Sequence, residues 1–229
     1  QNRLLKNQGD GTFVATDVLN GDSVWTTSVA IADLNGDGHP DLYDVNYLGG
    51  SDVYTKTCDH GGVQRICGPT DFAAERDRLL LSDGAGDFVA AADQDLPVGS
   101  DGRGMGLVVG QLTSTRGNQV YVANDESANQ LFVRSEAGHF EDIALAVGVA
   151  RDHYGRAQGS MGIASGDVDS NGTLDLFVTN YYAESNTLYR ERQSWFMDAT
   201  SSAQLAAAGY AQLGFGCQFL DVQGDGKLD

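Results

Sequence analysis

The feature that most limits how this chain can fold is an Asp-rich stretch that returns at a fixed register. Ala32 to Tyr43 (ADLNGDGHPDLY) comes back as Gly166 to Phe177 (GDVDSNGTLDLF) and again as Leu220 to Asp229 (LDVQGDGKLD). A fourth copy, Gly110 to Val122, keeps the frame but carries Gln111, Thr113, Thr115 and Gln119 where the others place carboxylates or amides. Repetition at a period of a few tens of residues means an array of like supersecondary units. Asp167 lies 56 positions after Gln111 and Asp221 lies 54 after Asp167. Gln111 lies 78 after Asp33, so an insertion separates those two repeats, and the repeat-less stretch at about 48–76 holds it.

Each loop follows a small, apolar segment: 28–32, 106–110, 162–166 and 216–220. Such runs read as buried inner strands. Three of the loops lead into a second strand rich in β-formers, at 41–46, 120–124 and 175–180. A hairpin unit recurs as well: Arg3 to Phe13, Asp77 to Phe88, Asn129 to Phe140 and Asn186 to Phe196, with Gly-rich or polar turns between apolar strands. Four short strands per repeat is the count of a propeller blade. The fold expected is therefore all-β: one domain over 1–229, built of four-stranded blades with the Asp-rich loops between their first two strands.

The loop composition suits calcium, which takes six to eight hard oxygens from alternate residues of a tightly turned chain. Positions 1, 3 and 5 offer side-chain oxygens: Asp33, Asn35 and Asp37; Asp167, Asp169 and Asn171; Asp221, Gln223 and Asp225. Glycine at position 6 (Gly38, Gly172, Gly226) permits a positive φ. Position 7 offers a backbone carbonyl, so the unlike side chains of His39, Thr173 and Lys227 are all compatible, and Asp41, Asp175 or Asp229 closes the shell at position 9. The loop is not an EF-hand, because helical flanks and a Glu at position 12 are missing. A single copy reads equally well as a cluster of Asx turns; three copies at one register favour two to three calcium sites. The copy at Gln111 is expected to be metal-free.

The pattern D-x-[DN]-x-[DN]-G-x-x-D-L after a short apolar strand resembles the FG-GAP/VCBS repeat of integrin α-chain propellers. The phrases 160–164 with Gly166-Asp167, 179–181, 186–189 and 7–13 are similar to the cartilage acidic protein family and its bacterial relatives. The resemblance implies a secreted or cell-surface propeller (periplasmic if bacterial) whose calcium loops are structural, with adhesion or ligand-binding roles and no shared catalytic residues. Family propellers have about seven blades and four repeats are visible, so the chain is expected to be a piece of a larger ring.

The formal charge of −18, from 14 Lys plus Arg against 32 Asp plus Glu, opposes a nucleic-acid partner. No apolar run reaches the roughly 20 residues that a membrane helix needs. The partner expected is an extracellular protein or glycan. Cys58 and Cys67 in the insertion predict a disulfide, with a zinc site through Cys58, His60 and Cys67 as the rival. Cys217 reads as a buried thiol. The one mixed polar cluster, Arg151 to Arg156 with His153 and Tyr154, keeps open an enzyme acting on carbohydrate, with an exposed loop as the plainer reading; a structural spacer in a larger exported protein is a third possibility. The aromatics Trp25, Tyr47, Tyr181, Tyr182 and Trp195 are expected in the core.

Overall fold

The computed structural model describes residues 2–16, 24–92 and 102–229. Its strands follow the repeat. A first hairpin pairs β1 (Leu4–Asn7) with β2 (Phe13–Thr16). The first sheet contains β3 (Thr26–Ala32) and β4 (Asp41–Asn46), then β9 (Arg78–Ser82) and β10 (Phe88–Ala90), in the order β10-β9-β4-β3. Between β4 and β9 the insertion builds two small ladders of its own: β5 (Leu48–Gly49) on β8 (Ala73–Ala74), and β6 (Thr57–Asp59) on β7 (Gln64–Ile66). The second sheet is β11 (Gly104–Gly110), β12 (Gln119–Asn124), β13 (Gln130–Arg134) and β14 (Phe140–Asp142). After a single helical turn, α1 (Ala144–Val147), the third sheet is β15 (Ile163–Gly166), β16 (Asp175–Val178), β17 (Thr187–Arg192) and β18 (Trp195–Asp198). All three are antiparallel meanders, which need no crossover connection, and the insertion lengthens only the link between β4 and β9. The described residues do not close a ring.

The cores lie between successive sheets. Side chains alternate along a strand, and β12 uses both faces: Val120 and Val122 join Tyr43, Val45 and Leu79 of the first sheet, whereas Tyr121 and Ala123 join Leu176, Val178 and Tyr189 of the third. Leu4 of the first hairpin packs beside Leu42 and Leu80 on the outer face of the first sheet. The expectation that the first strands are buried is corrected for β3, while β11 and β15 are partly buried. Every residue of β4 and β12 is buried, whereas Val29 and Ile31 of β3 are each 58 % exposed. The second strand has a hydrogen-bonded strand on either side and a packed sheet on its faces; β3 is an edge.

Successive repeats approach closely at one repeated position. Ser28 donates its hydroxyl to the Met105 carbonyl at 3.0 Å. The equivalent residues are Gly106 and Gly162, where an added Cβ would collide with the carbonyl oxygens of Met161 and Phe215. Phe215 immediately precedes the segment expected as a fourth inner strand, 216–220. That segment is not assigned as a strand, but Leu220 and Asp229 exchange backbone hydrogen bonds and the segment docks as the earlier first strands do. Thr179 Oγ1 donates to the Phe215 carbonyl at 2.8 Å, and the Phe177 and Phe219 rings sit 6.2 Å apart.

A second repeated device closes the link from the second to the third strand of each sheet. The backbone N–H groups of Asn46, Asn124 and Asn180 donate to side-chain oxygens of Asp77, Asn129 and Asn186 at 2.8, 2.9 and 3.0 Å. Their own amides donate back to the carbonyls of Arg76, Ala128 and Ser185. Only the first copy uses an acid. Asp77 also accepts from the Tyr43 hydroxyl at 3.1 Å, and burial pushes its carboxyl from 3.8 up to about 7.

Two outcomes follow from these contacts. Gly162→Ala is expected to cost about 2 kcal/mol or more, since backbone must move to admit the methyl group, whereas Ser28→Ala costs about 1 kcal/mol for one lost hydrogen bond; equal losses in chemical denaturation would refute the close approach. Asp77 is raised by folding, so its contribution to stability is present at acid pH and falls as pH rises from about 4 to about 7. Asp77→Asn, which copies Asn129, is therefore expected to raise the melting temperature by a few degrees at pH 8 and to leave it nearly unchanged at pH 4. A gain of equal size at both pH values would contradict the buried-carboxyl account.

Candidate metal centre

The loops at Asp33, Gln111 and Asp167 connect the first strand of a sheet to its second, so all of them emerge at the same end of the stacked sheets. One contact is common to all four copies: the position 9 side chain accepts the backbone N–H of position 2. The pairs are Asp41 with Leu34 at 2.9 Å, Gln119 with Leu112 at 3.1 Å, Asp175 with Val168 at 3.0 Å and Asp229 with Val222 at 3.0 Å. In the first and third sheets the other carboxylate oxygen reaches the third strand, accepting from Ser82 N at 2.9 Å and Glu191 N at 2.9 Å. Asp41 and Asp175 are wholly buried. Position 9 is therefore a backbone clamp before it is a ligand.

Position 1 caps the turn. Asp33 accepts from Gly36 and Gly38 N–H, Asp167 from Asn171 and Gly172 N–H, and Asp221 from Gly224, Asp225 and Gly226 N–H. The position 6 glycines adopt φ of 88°, 86° and 81° for Gly38, Gly172 and Gly226, as their place in the repeat predicts. Position 5 caps position 7: His39, Thr173 and Lys227 each donate their backbone N–H to the residue two before. These bonds hold Asp167 and Asp221 below the usual carboxylate range, the Gly172 and Gly226 N–H groups contributing most, and Asp37 likewise through His39 N–H. Burial pushes Asp175 the other way.

The loop of the third sheet is the one whose acids converge. Among the described residues, one oxygen each of Asp167, Asp169 and Asp175 lie within 4.8 Å of one another. Asp169 Oδ2 accepts from Arg192 at 2.6 Å, but its Oδ1 is buried with no hydrogen-bond partner. Three carboxylates thus meet one guanidinium, which leaves unmatched negative charge around a buried acceptor; that donor set fits a hard divalent cation. In the first loop, Asn35 and Asp37 are instead joined to each other at 2.9 Å. In the loop at Asp221 the Gln223 amide faces the Asp229 carboxylate.

Adjacent sheets brace these loops. Asn118 Nδ2 donates to the Asp33 carbonyl at 2.8 Å and Arg134 Nη1 to the Asn35 carbonyl at 2.5 Å, tying the first loop to the second sheet. Ser114 and Ser194 bridge the second loop to the third sheet.

The remaining candidates lie elsewhere. Cys58 and Cys67 are joined as a disulfide, which consumes the thiolates that the zinc alternative needs. Arg103 fastens the insertion to the second sheet by donating to the carbonyls of Pro69 and Phe72 and to Ser127 Oγ. Cys217 is half-buried, and burial raises its thiol to about 11, so it is no nucleophile at neutral pH. In the Arg151 to Arg156 turn, Asp152 Oδ2 accepts from both Nε and Nη2 of Arg156, its Oδ1 accepts the Tyr154 and Arg156 backbone N–H groups, and the Tyr154 ring lies under that guanidinium. The expectation of core aromatics is corrected: Trp25, Tyr181, Tyr182 and Trp195 are 37–61 % exposed, because they sit at turns and on edge strands rather than on the packed second strands. Only Tyr47 is partly buried, its hydroxyl donating to Asp125 at 2.6 Å.

A family model described as an FG-GAP-like repeat matches residues 1–43, the stretch that contains the first hairpin, β3 and the Asp33 loop. No curated protein matches the chain. The repeat and the disulfide point to an extracellular or surface protein, and the repeat to a ligand-binding or adhesion-type module. No described helix is long and apolar enough to cross a membrane.

The clamp carries its own test. Asp175→Ala leaves two buried N–H groups without an acceptor and is expected to cost about 2–4 kcal/mol in chelator-containing buffer. A loss seen only when calcium is supplied would show that Asp175 acts solely as a ligand.

Proposed function

We propose that the chain is part of a calcium-stiffened β-propeller in which each four-stranded sheet is a blade, and that this propeller displays its loops to an extracellular protein or glycan without catalysing a reaction. The observation that carries the calcium reading is the third-sheet loop, where Asp167, Asp169 and Asp175 converge and Asp169 Oδ1 is buried without a partner. Asp167, Asp169, Asn171 and Asp175, with the Thr173 carbonyl, would hold the ion there. Asp33, Asn35, Asp37, Asp41 and the His39 carbonyl would do so in the first sheet. Asp221, Gln223, Asp225, Asp229 and the Lys227 carbonyl form the corresponding set in the last loop. The meander topology and the repeated docking of first strands support the propeller.

The ion's role in this reading is structural. It offsets carboxylate repulsion and fixes a turn whose backbone is already shaped by its own Asx bonds. Binding the folded state alone stabilises it by mass action, about 2.7 kcal/mol per site at a hundredfold excess over Kd. Calorimetric titration of chelated protein is expected to show two to three calcium sites, with the melting temperature falling by about 5 °C or more in EDTA. Asp169→Asn is expected to remove one site. Absence of uptake, together with a melting temperature indifferent to EDTA, would sink the reading.

A further inference from the structure

The second sheet has lost the acids of its loop without losing the loop, and the geometry shows how. Gln119 stands at position 9 and is 1 % exposed. Its Oε1 accepts from Leu112 N at 3.1 Å and Thr113 N at 2.9 Å, reproducing the clamp of Asp41 on Leu34 N and Asn35 N. Its Nε2 points inward, donating to Thr113 Oγ1 at 2.9 Å and to the Thr115 carbonyl at 2.8 Å. Thr113 Oγ1 is the side-chain oxygen of position 3, which faces the ion in the calcium reading of the other loops, and at position 5 the Thr115 backbone carbonyl takes the second bond.

We propose that the Gln119 amide nitrogen takes the place of the cation in this loop, so that the second sheet is closed by an internal hydrogen-bond donor and is independent of calcium. This rests on the calcium reading of the Asp33 and Asp167 loops. The charge logic is complete: a loop with no carboxylate at positions 1, 3, 5 or 9 has no repulsion to offset, and its oxygens need only N–H donors. A carboxylate at position 119 could keep the clamp but would set oxygen against the Thr115 carbonyl. The second sheet also has each of its faces in one of the two large cores. Its independence lets the centre of the described stack stay ordered while calcium sets the rigidity of the loops beside it.

Hydrogen exchange followed peptide by peptide tests this on the intact chain. In EDTA, amides of the 33–41 and 167–175 loops are expected to exchange about tenfold faster or more than in calcium, whereas Leu112 and Thr113 exchange at an unchanged rate. Gln119→Glu, close in shape but lacking the inward donor, is expected to accelerate exchange at 111–119 about tenfold in EDTA, with calcium slowing it again. Two results would overturn the Gln119 assignment while leaving the calcium reading intact: wild-type exchange at 111–119 accelerating with the other loops on chelation, or Gln119→Glu exchanging like wild type in EDTA. Unchanged exchange of the 33–41 and 167–175 loops on chelation would instead defeat the calcium reading, and the substitution of amide for cation with it. Should the variant not fold, the wild-type comparison alone still decides.

Discussion

Everything at the loop end of this molecule depends on one contact, the oxygen of position 9 accepting the N–H of position 2. It occurs at Asp41, Gln119, Asp175 and Asp229, in acidic and neutral copies alike. The contact brings the end of the first strand back onto the start of the second, and in two sheets the same carboxylate reaches on to the third strand. Charge at the remaining positions can then vary from copy to copy. Where acids gather, as at Asp167, Asp169 and Asp175, their oxygens converge, which is the observation behind the proposed calcium site; where Gln119 stands, the clamp is kept without them.

Packing follows from the same topology. Each loop sets a second strand between a first and a third, and that strand becomes the buried one. β12 shows the result, with valines on one face and Tyr121 and Ala123 on the other, each face entering a different core. Close approach of the sheets is set at Ser28, Gly106 and Gly162, where the side chain is a donor or is absent. The segment at 215–220 uses the same approach, through the Phe215 carbonyl, and its Leu220 exchanges backbone hydrogen bonds with Asp229 as Ala32 and Gly166 pair with Asp41 and Asp175.

Much of this was legible in the sequence, because repeats align like with like. The loop register, the four hairpins, the three meanders, the insertion and the Cys58–Cys67 pair could all be read from spacing and turn chemistry. Burial was not, since small, apolar segments such as 28–32 look buried whether they lie in the middle of a sheet or at its edge. The Asn46, Asn124 and Asn180 device left a visible signal, an Asn at the end of each second strand, but its partners at 77, 129 and 186 emerge only once the hairpins are folded. The inward amide of Gln119 was visible only as a missing acid. Aromatic exposure depends on which residues fall at turns, and composition carries no information about that.

The central claim is that acidic and amide-closed loops of one repeat differ in whether they hold a cation. A crystal structure of the chain grown in calcium, with anomalous scattering recorded near the calcium edge, tests it most directly. The account predicts a peak at about 2.3–2.6 Å from oxygens of Asp167, Asp169 and Asp175, and none beside Gln119. A peak in the Gln119 loop, or water alone among the three carboxylates, would contradict it.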